Sequence, residues 1–188
     1  MQSDVLITDA TGIKGSLPED VQRLLTGRME FIAGHPMAGR QGSGLGMSQA
    51  EIFDGANYIV VPAAFNSSGA IEWLSSFAGA IGCGQVVQVD AVEHDRIIAY
   101  TSNLPHALAV ALINSASYNE NTKYFIAGSF RDGTRVADIN PYLWSDLFLA
   151  NRENVLQEFG VNGKIVKVRP GPAVSYTHLR AHETTLHL

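Results

Sequence analysis

Two histidines and two arginines are the residues of this chain best suited to do chemistry: His35, His106, Arg131 and Arg135. They lie in the strings GHPMAG, SNLPH and SFRDGTR. Imidazole takes up and releases a proton near neutral pH, and a guanidinium binds a carboxylate through two parallel hydrogen bonds. The set predicts an anionic substrate that is held in a cleft, where a histidine exchanges a proton with it.

The neighbours of His35 favour a functional role over that of an ordinary loop histidine. Pro36 biases His35 toward extended backbone. The flanking Gly34 and Gly39 lack side chains, so a ligand can approach the backbone closely. A histidine in this setting can act as a general base near neutral pH.

His106 and the two arginines each have a simpler alternative role. A lone histidine among alanines and leucines is more often a core residue, but Pro105 disturbs the helix ahead of His106 and opens room for a site. Arg131 and Arg135 enclose Asp132, and such charged triplets are usually solvated. The flanking residues 127–130 are small or aromatic and predict burial instead, which favours a carboxylate-binding role.

The elements that must position these residues alternate along the first half of the chain. Short apolar runs predict strands at residues 5–8, 29–33, 57–62 and 85–89. Helices are predicted from Leu17, where a proline and two acids suit the first turn, and over residues 70–81. Strands that alternate with helices predict an α/β fold with a parallel sheet. His35 should follow the second of these strands.

The second half of the chain is predicted to be all helical. Residues 91–117 form one long helix, which Pro105 kinks or breaks at Leu104. A further helix begins at Asn140 and carries apolar residues as far as Phe159. These patterns place a boundary near residue 89, between domains at residues 1–89 and 90–160. Residues 161–188 fit neither pattern, and residues 174–184 match a translated sequencing adapter, so this tail is expected to be non-native or disordered.

Composition excludes several classes of protein. Of the 188 residues, 46% are hydrophobic and 16% are charged, which is a globular composition. The net charge of −5 and the lack of a basic cluster argue against nucleic acid as a partner. No apolar run approaches the roughly 20 residues that span a bilayer. With the single Cys83 and no signal-peptide pattern, a cytoplasmic location is expected. His178 and His182 lie four residues apart, but no further ligands accompany them, so no metal site is predicted.

The three strings, in this order and together with Ser43-Gly44 after GHPMAG, resemble the prephenate dehydrogenase family over about residues 4–160. The resemblance implies a partial Rossmann-type parallel sheet followed by an all-α domain through which two subunits form a homodimer. Members of the family oxidise prephenate with NAD or NADP, release carbon dioxide and form 4-hydroxyphenylpyruvate in tyrosine biosynthesis. Some members prefer arogenate, and the sequence leaves both this choice and that between NAD and NADP open.

The resemblance also implies roles for individual residues. It makes His35 catalytic and assigns substrate binding to His106, Arg135, Arg131 and Ser43. The segment DATGIK stands where the family has a DxGSxK loop beside the nicotinamide, which implies that the cofactor is bound by Asp9, Thr11 and Gly12. Gly12 stands where a serine is common, so either Thr11 supplies the hydroxyl from a shifted position or the hydroxyl is missing. Arg40-Gln41 replaces a Thr-Glu pair, and His94-Asp95 fits the family pattern.

One expected element is not found. A dinucleotide site needs a GxGxxG turn and an acid about 20 residues beyond it, and the sequence contains no such string. We therefore expect the chain to be a fragment that binds NAD poorly and is nearly inactive alone. Two alternatives stay open: another dehydrogenase with a helical second domain that acts on a small hydroxy acid, and a non-enzymatic dimerisation module.

Overall fold

The computed structural model describes residues 5–39, 46 and 48–160. The first part of the chain, called here the α/β part (residues 5–88), contains five short strands and two α-helices among its described residues. The strands are β1 (Val5–Ile7), β2 (Met29–Phe31), β3 (Ala33–Pro36), β4 (Asn57–Val61) and β5 (Gln85–Gln88). The helices are α1 (Leu17–Leu24) and α2 (Ser68–Ala80), and a short 3-10 turn spans Ala50–Phe53.

The rest of the described chain, called here the helical part (residues 91–160), contains no strand. Its α-helices are α3 (Ala91–Ile98), α4 (Leu104–Ile113), α5 (Gly128–Thr134), α6 (Pro141–Ala150) and α7 (Arg152–Glu158). A π-helical segment, Ala99–Asn103, joins α3 to α4, and a 3-10 turn spans Thr122–Tyr124. None of the described helices is long and apolar enough to cross a bilayer.

The strands form two small sheets. β1 and β2 pair in parallel, and the second sheet has the order β3-β4-β5. β4 and β5 are parallel, whereas β3 and β4 are antiparallel with His35 opposite Ile59. The α/β class is confirmed, and the expected parallel pairing holds for two of the three strand pairs.

The prediction of one strand over residues 29–33, with His35 in the loop after it, is wrong. The strand ends at Phe31 and a new strand begins at Ala33, because the chain changes partner at Ile32 from β1 to β4. The Ile32 N–H still donates to the Ile7 carbonyl at 2.9 Å. His35 therefore lies within β3, where ladder hydrogen bonds to β4 hold its backbone.

The core of the α/β part lies on both faces of these strands. Phe31, Ala33 and Val61 pack on one face, and Ile32 and Val60 on the other, as the two-residue period of a strand requires. The second face is covered by the buried stripe of α2, which consists of Ala70, Leu74 and Ala78 at every fourth residue. Ser67 caps this helix by accepting from the Ala70 N–H at 3.2 Å.

The helix predicted over residues 91–117 is interrupted, as the proline prediction required, and it ends at Ile113. Pro105 has no N–H to donate to the carbonyl one turn earlier, so the ladder is disturbed in that turn. The disturbance takes the form of the π-helical segment rather than of an open break, since the backbone from Ile98 to Leu104 stays right-handed helical. Such segments are frequent at functional sites.

Gly34 must be glycine because the ring of Tyr58 covers it. A β-carbon at this position would lie 2.3 Å from the Tyr58 hydroxyl oxygen and 2.9 Å from two ring carbons. Tyr58 is buried, so its ring cannot move aside freely. We expect Gly34→Ala to lower the free energy of unfolding by about 1–3 kcal/mol, measured by denaturant titration. Gly39→Ala is the matched control, since no described residue lies within 4 Å of a β-carbon there. Equal stability of the two variants would contradict the packing argument.

Candidate active site

The loop after β1 is fastened to β3 by one carboxylate. Asp9 Oδ1 accepts from the Gly34 N–H at 3.0 Å, and Asp9 Oδ2 accepts from the Thr11 N–H at 3.0 Å and from the Lys14 ammonium at 2.7 Å. The Thr11 hydroxyl also donates to Asp9 Oδ2. Lys14 Nζ donates in addition to the Gly34 carbonyl at 2.6 Å. These contacts fix Gly34, the residue next to His35, through both its N–H group and its carbonyl.

The charges of this loop are largely buried. The side chain of Lys14 is fully buried and that of Asp9 nearly so. Burial opposes ionisation of Asp9, but hydrogen bonds from Lys14 and Thr11 outweigh it and lower the pKa of the carboxyl. Burial lowers the pKa of Lys14, and the Asp9 carboxylate opposes that effect. Asp9 is therefore an ionised anchor whose two oxygens are both engaged within the chain.

A second carboxylate, on α3, fastens the end of the same loop. Asp95 Oδ1 accepts from the Lys14 backbone N–H at 2.9 Å, and Asp95 Oδ2 accepts from the Gly15 N–H at 2.7 Å. Burial raises the pKa of Asp95, but hydrogen bonds from His94, Lys14 and Gly15 outweigh it, so the pKa of this carboxyl is lowered. The loop is thus held between the α/β part and the helical part.

His35 stands in a row with His94 and Asp95. The Nδ1 of His35 lies 2.9 Å from the Nε2 of His94, and the Nδ1 of His94 lies 2.7 Å from Asp95 Oδ1. The two rings meet edge to face, with centroids 5.1 Å apart. Burial, followed by the proximity of His94 and Lys14, lowers the pKa of His35 to about 4. His35 is therefore a neutral imidazole at physiological pH.

The shifted pKa of His35 predicts a loss of stability in mild acid. Between pH 6.5 and about 4, the unfolded chain takes up a proton on His35 that the folded chain does not, so the free energy of unfolding falls as the pH falls. The loss should reach about 3 kcal/mol. The lowered pKa values of Asp9 and Asp95 add to the loss as the pH falls through the ordinary carboxyl value of 3.8 and below it.

Urea titrations of the wild-type protein and of His35→Phe over this pH range measure the effect. The difference in unfolding free energy between the two proteins should shrink, or shift in favour of the variant, as the pH falls from 6.5 toward 4, because phenylalanine cannot take up a proton. Parallel pH profiles for the two proteins would mean that His35 does not titrate differently on folding.

His106 occupies a separate niche in the helical part. Its Nδ1 lies 2.9 Å from the Ser102 carbonyl, one turn earlier, and its ring stacks on Trp144 of α6 with centroids 3.7 Å apart. A carbonyl only accepts, so Nδ1 is the donor in this hydrogen bond. The disturbed turn before Pro105 supplies the acceptor, and Nε2 of His106 is left for other partners.

The two arginines lie on and just beyond α5. Arg131, Asp132 and Arg135 are all exposed. The predicted burial of residues 127–130 is wrong for three of the four, because residues 127–129 are exposed and only Phe130 is half-buried. Both arginines are therefore residues of the protein surface.

The loop of the α/β part and the niche of His106 share one neighbour, the helix α6. A β-carbon on Gly12 would lie 3.7 Å from the Leu147 side chain, and His106 stacks on Trp144. Trp144 and Leu147 are three residues apart and so lie on the same face of α6. Thr11 is exposed beside this junction. Ser43 lies outside the described residues.

The structure thus brings Asp9, Thr11 and His35 into one connected cluster. The described contacts of His106 are with Ser102 and Trp144, not with that cluster. No group of three or more histidine, cysteine, aspartate or glutamate side chains in the described part of the chain is arranged to hold a metal ion.

Five residues of the site were given no role at the level of sequence: Lys14, His94, Asp95, Asn103 and Asn151. Buried Asn151 donates to the Asp95 carbonyl at 2.8 Å and to the Asn103 side chain at 2.9 Å, joining the end of α6 to α3 and to the π-helical segment. Lys14, His94, Asp95 and Asn103 all lie in strings that match the family pattern, which is the signal that could have found them. No signal in the sequence marks Asn151.

The α/β part has two small sheets, and the helices after it hold the loop that follows β1. This arrangement defines the class of two-part proteins with a Rossmann-type first domain. Two family models match this chain. Residues 1–87 match the prephenate dehydrogenase nucleotide-binding domain, and residues 90–164 match the prephenate dehydrogenase dimerization domain. The chain belongs to the prephenate dehydrogenase family, which confirms the resemblance.

Individual relatives agree with this assignment. The chain is 32% identical to the prephenate dehydrogenase of Bacillus subtilis over 163 residues, which are 85% of this chain and 44% of that protein. It is 34% identical to the cyclohexadienyl dehydrogenase of Zymomonas mobilis, covering 83% of this chain and 54% of that protein. The crystal structure of prephenate dehydrogenase from A. aeolicus with hydroxyphenyl propionate and NAD+ superposes with a TM-score of 0.72 at 31% identity, covering 82% and 55% of the two chains. The chain therefore spans about half the length of the relatives it matches.

Proposed function

We propose that this chain carries the proton-handling and substrate-binding side of a prephenate dehydrogenase, which oxidises prephenate with NAD or NADP and releases carbon dioxide and 4-hydroxyphenylpyruvate. The observation that carries the proposal is the neutral His35, held by His94 at the edge of β3 beside the Asp9 loop. The chain belongs to a family of dehydrogenases, and a neutral imidazole in this place is suited to accept the hydrogen of a substrate alcohol.

The described residues fit one end of a nicotinamide dinucleotide. The loop of Asp9, Thr11 and Gly12 follows a parallel strand, at the edge where dinucleotide folds bind their ligands, and it lies next to His35. Because Asp9 and the hydroxyl hydrogen of Thr11 are engaged within the chain, the backbone around Gly12 and the oxygen of the exposed Thr11 hydroxyl, as an acceptor, are the groups available to the nicotinamide end. When bound, the nicotinamide supplies a hydride acceptor.

The role of His35 follows from its protonation state. The ring alcohol of prephenate donates its hydrogen to an unprotonated nitrogen of His35, so electron density builds on the alcohol oxygen as the hydride leaves the adjoining carbon. Loss of the ring carboxylate as carbon dioxide then makes the ring aromatic, and the proton stays with the phenol of the product. An imidazolium would oppose this, which is why the lowered pKa of His35 suits the reaction.

The carboxylates of the substrate need cationic or hydrogen-bonding partners. We assign one carboxylate to Arg135, aided by Arg131, because both are exposed arginines on one short helix and its end, and a guanidinium binds a carboxylate through two hydrogen bonds. We assign the orientation of the other end of the substrate to His106, whose ring is fixed by Trp144 and Ser102. The proposal also keeps Ser43 as a substrate contact.

Arg135→Ala tests the carboxylate assignment. We expect KM for prephenate to rise by about 10–100-fold with a smaller change in kcat, because a charged hydrogen bond of about 1.5–3 kcal/mol is lost from substrate binding. Steady-state kinetics measure both constants. Arg152→Ala is the matched control, since Arg152 is an exposed arginine that pairs with Glu153 on α7. An unaltered KM in Arg135→Ala would refute the assignment.

The substrate could also be arogenate, which carries an amino group where prephenate has a keto group. The 34% identity to a cyclohexadienyl dehydrogenase favours keeping this second candidate. Parallel assays with prephenate and arogenate decide between them through the ratio of kcat/KM values. The same assays with NAD and NADP settle the choice of cofactor.

A chimera gives the decisive test of the activity. Because the chain spans 44% of the Bacillus subtilis relative, residues 5–160 would replace the aligned segment of that protein. We expect prephenate-dependent formation of reduced nicotinamide that is lost on substitution of His35. A folded chimera without such activity would refute the proposed function. Binding of hydroxyphenyl propionate to this chain alone, measured by calorimetry, gives an independent readout of the substrate side.

We further propose two domains, at residues 1–89 and 90–160, and a homodimer that forms through the second. The dimer is supported by the match to a dimerization domain and by large exposed apolar residues in the helical part: Leu108, Leu112, Tyr124, Phe125, Leu143 and Leu149. Sedimentation equilibrium should give twice the mass of one chain.

A further inference from the structure

In the row of His35, His94 and Asp95, the neighbouring hydrogen bonds determine which atom donates and which accepts at each contact. Asp95 is an ionised carboxylate that accepts the backbone N–H groups of Lys14 and Gly15. An ionised carboxylate can only accept, so the 2.7 Å contact between His94 and Asp95 places a hydrogen on His94 Nδ1. The remaining nitrogen of a neutral His94, Nε2, is then an acceptor.

We infer that His94, backed by Asp95, is a positioning residue that holds His35 in the tautomer with hydrogen on Nδ1 and leaves Nε2 of His35 as the acceptor for the substrate hydroxyl. The inference rests on the proposed function of His35 for its catalytic meaning, but its structural content is independent. His35 Nδ1 faces His94 Nε2 at 2.9 Å, so the hydrogen between them comes from His35 if His94 is neutral. His35 Nε2 has no hydrogen-bond partner among the residues that the structure describes.

The opposite direction of the hydrogen bond between His35 and His94, in which His94 is the donor, requires a buried cation. For His35 Nδ1 to accept, His94 must carry hydrogens on both nitrogens and thus a positive charge. His94 is only 2% exposed, and the same cluster already contains the buried ammonium of Lys14. The Lys14 ammonium is already paired with Asp9, and ionising a buried imidazole costs desolvation free energy even where a carboxylate faces it. With His94 neutral, Asp95 still accepts from the N–H groups of Lys14 and Gly15 and from Nδ1 of His94, so its oxygens need no further cation.

The surroundings also prevent the His94 ring from turning away. Asp95 holds the loop through two backbone hydrogen bonds, and Asn151 donates to the carbonyl of Asp95 at 2.8 Å. The acceptor that faces His35 is therefore set by three elements: the loop after β1, helix α3 and the end of α6. This arrangement matches the logic of a serine-protease triad, in which a buried carboxylate fixes the tautomer of the histidine in front of it.

Nitrogen-detected NMR of the full chain, labelled with ¹⁵N-histidine, tests the inference near neutral pH. We expect the His35 signals to report hydrogen on Nδ1 and none on Nε2. In His94→Phe, which keeps a ring but has no acceptor, His35 should lose this preference. In His94→Gln, whose amide oxygen can take the place of Nε2, the preference should be retained. Glu93→Gln, an exposed neighbour on α3, is the control and should match the wild type.

The outcomes separate the inference from the proposed function. Hydrogen on Nε2 of His35 in the wild-type chain overturns the inference whatever the activity, and it does so even if His94→Phe fails to fold. In the chimera, His94→Phe should lower kcat by about 100-fold or more with little change in KM, as expected when a catalytic histidine adopts the wrong tautomer. A chimera that never oxidises prephenate refutes the proposed function and leaves the NMR result to decide the tautomer.

Discussion

His35→Asn is expected to lower kcat for prephenate oxidation by about 10²–10⁴-fold, the range that a positioned proton acceptor contributes. Asparagine keeps a polar side chain on β3 but has no nitrogen lone pair that can take up a proton. The carboxylate contacts assigned to Arg135 stay in place, so substrate binding should change much less than turnover. Steady-state kinetics of the chimera measure kcat and KM, and calorimetry with hydroxyphenyl propionate measures binding.

Ile59→Val is the matched control for this variant. Ile59 lies opposite His35 on β4, and the substitution removes one methylene group without touching the imidazole. It should lower the free energy of unfolding by about 0.5–1.5 kcal/mol and leave kcat within a small factor of the wild-type value. An unchanged rate in His35→Asn would remove His35 from the mechanism. An equal loss of rate in both variants would attribute the effect to packing of β3 on β4.

Lys14→Met should cause the largest loss of stability among single substitutions in the site. Methionine fills a similar volume but leaves the Asp9 carboxylate and the Gly34 carbonyl without the ammonium that now lies 2.7 Å and 2.6 Å from them. Removing one partner of a buried ion pair costs about 3–5 kcal/mol, because the other charge is left buried. Chemical denaturation at neutral pH measures the loss.

Arg96→Met is the matched control, since it removes one partner of an exposed ion pair with Glu93 on α3. Exposed pairs contribute about 0–1 kcal/mol, so the control should stay close to the wild type. The deficit of Lys14→Met should shrink as the pH falls, because the stranded Asp9 then takes up a proton more readily than in the wild type. A loss no larger than that of the control would show that the Lys14 pair is solvated in the protein.

Much of the α/β part could be predicted from apolar runs and turn residues. The bounds of β1, β4, β5 and α2 agree with the sequence within two residues, because each element coincides with a local apolar pattern that the sequence itself displays. The division between β2 and β3 could not be predicted, since residues 29–33 read as a single apolar strand that runs into His35. Which neighbour an extended residue pairs with depends on segments far along the chain, and Ile32 is where the partner changes.

Prediction of the helical part from the sequence is limited in a similar way. The helix start at Asn140 was predicted, and its side chain caps α6 through the N–H groups of Tyr142 and Leu143. The helix was expected to continue to Phe159, but it is divided at Asn151, whose side chain binds Asp95 and Asn103 instead. The competing contact lies 56 residues away, so no local pattern reports it.

The candidate site was predicted as separate pieces. His35 was found because its string is distinctive, whereas the contact that fixes the loop, between Asp95 and the Lys14 N–H, joins residues 81 positions apart. Asp95 lies near the start of the helix predicted over residues 91–117, where an acidic residue has an ordinary explanation as a partner of the helix dipole. Only the fold shows that its oxygens point back to the loop after β1.

The position of Asp95 has a mechanical consequence. It lies five residues beyond Asp90, the cap residue of α3, and therefore close to the single connection between the two parts of the chain. The hydrogen bonds from the Lys14 and Gly15 N–H groups to Asp95 oppose rotation about that connection. The two parts are therefore tied together twice within a few residues, once by the chain and once by Asp95, and the His35–His94 contact lies at this tie.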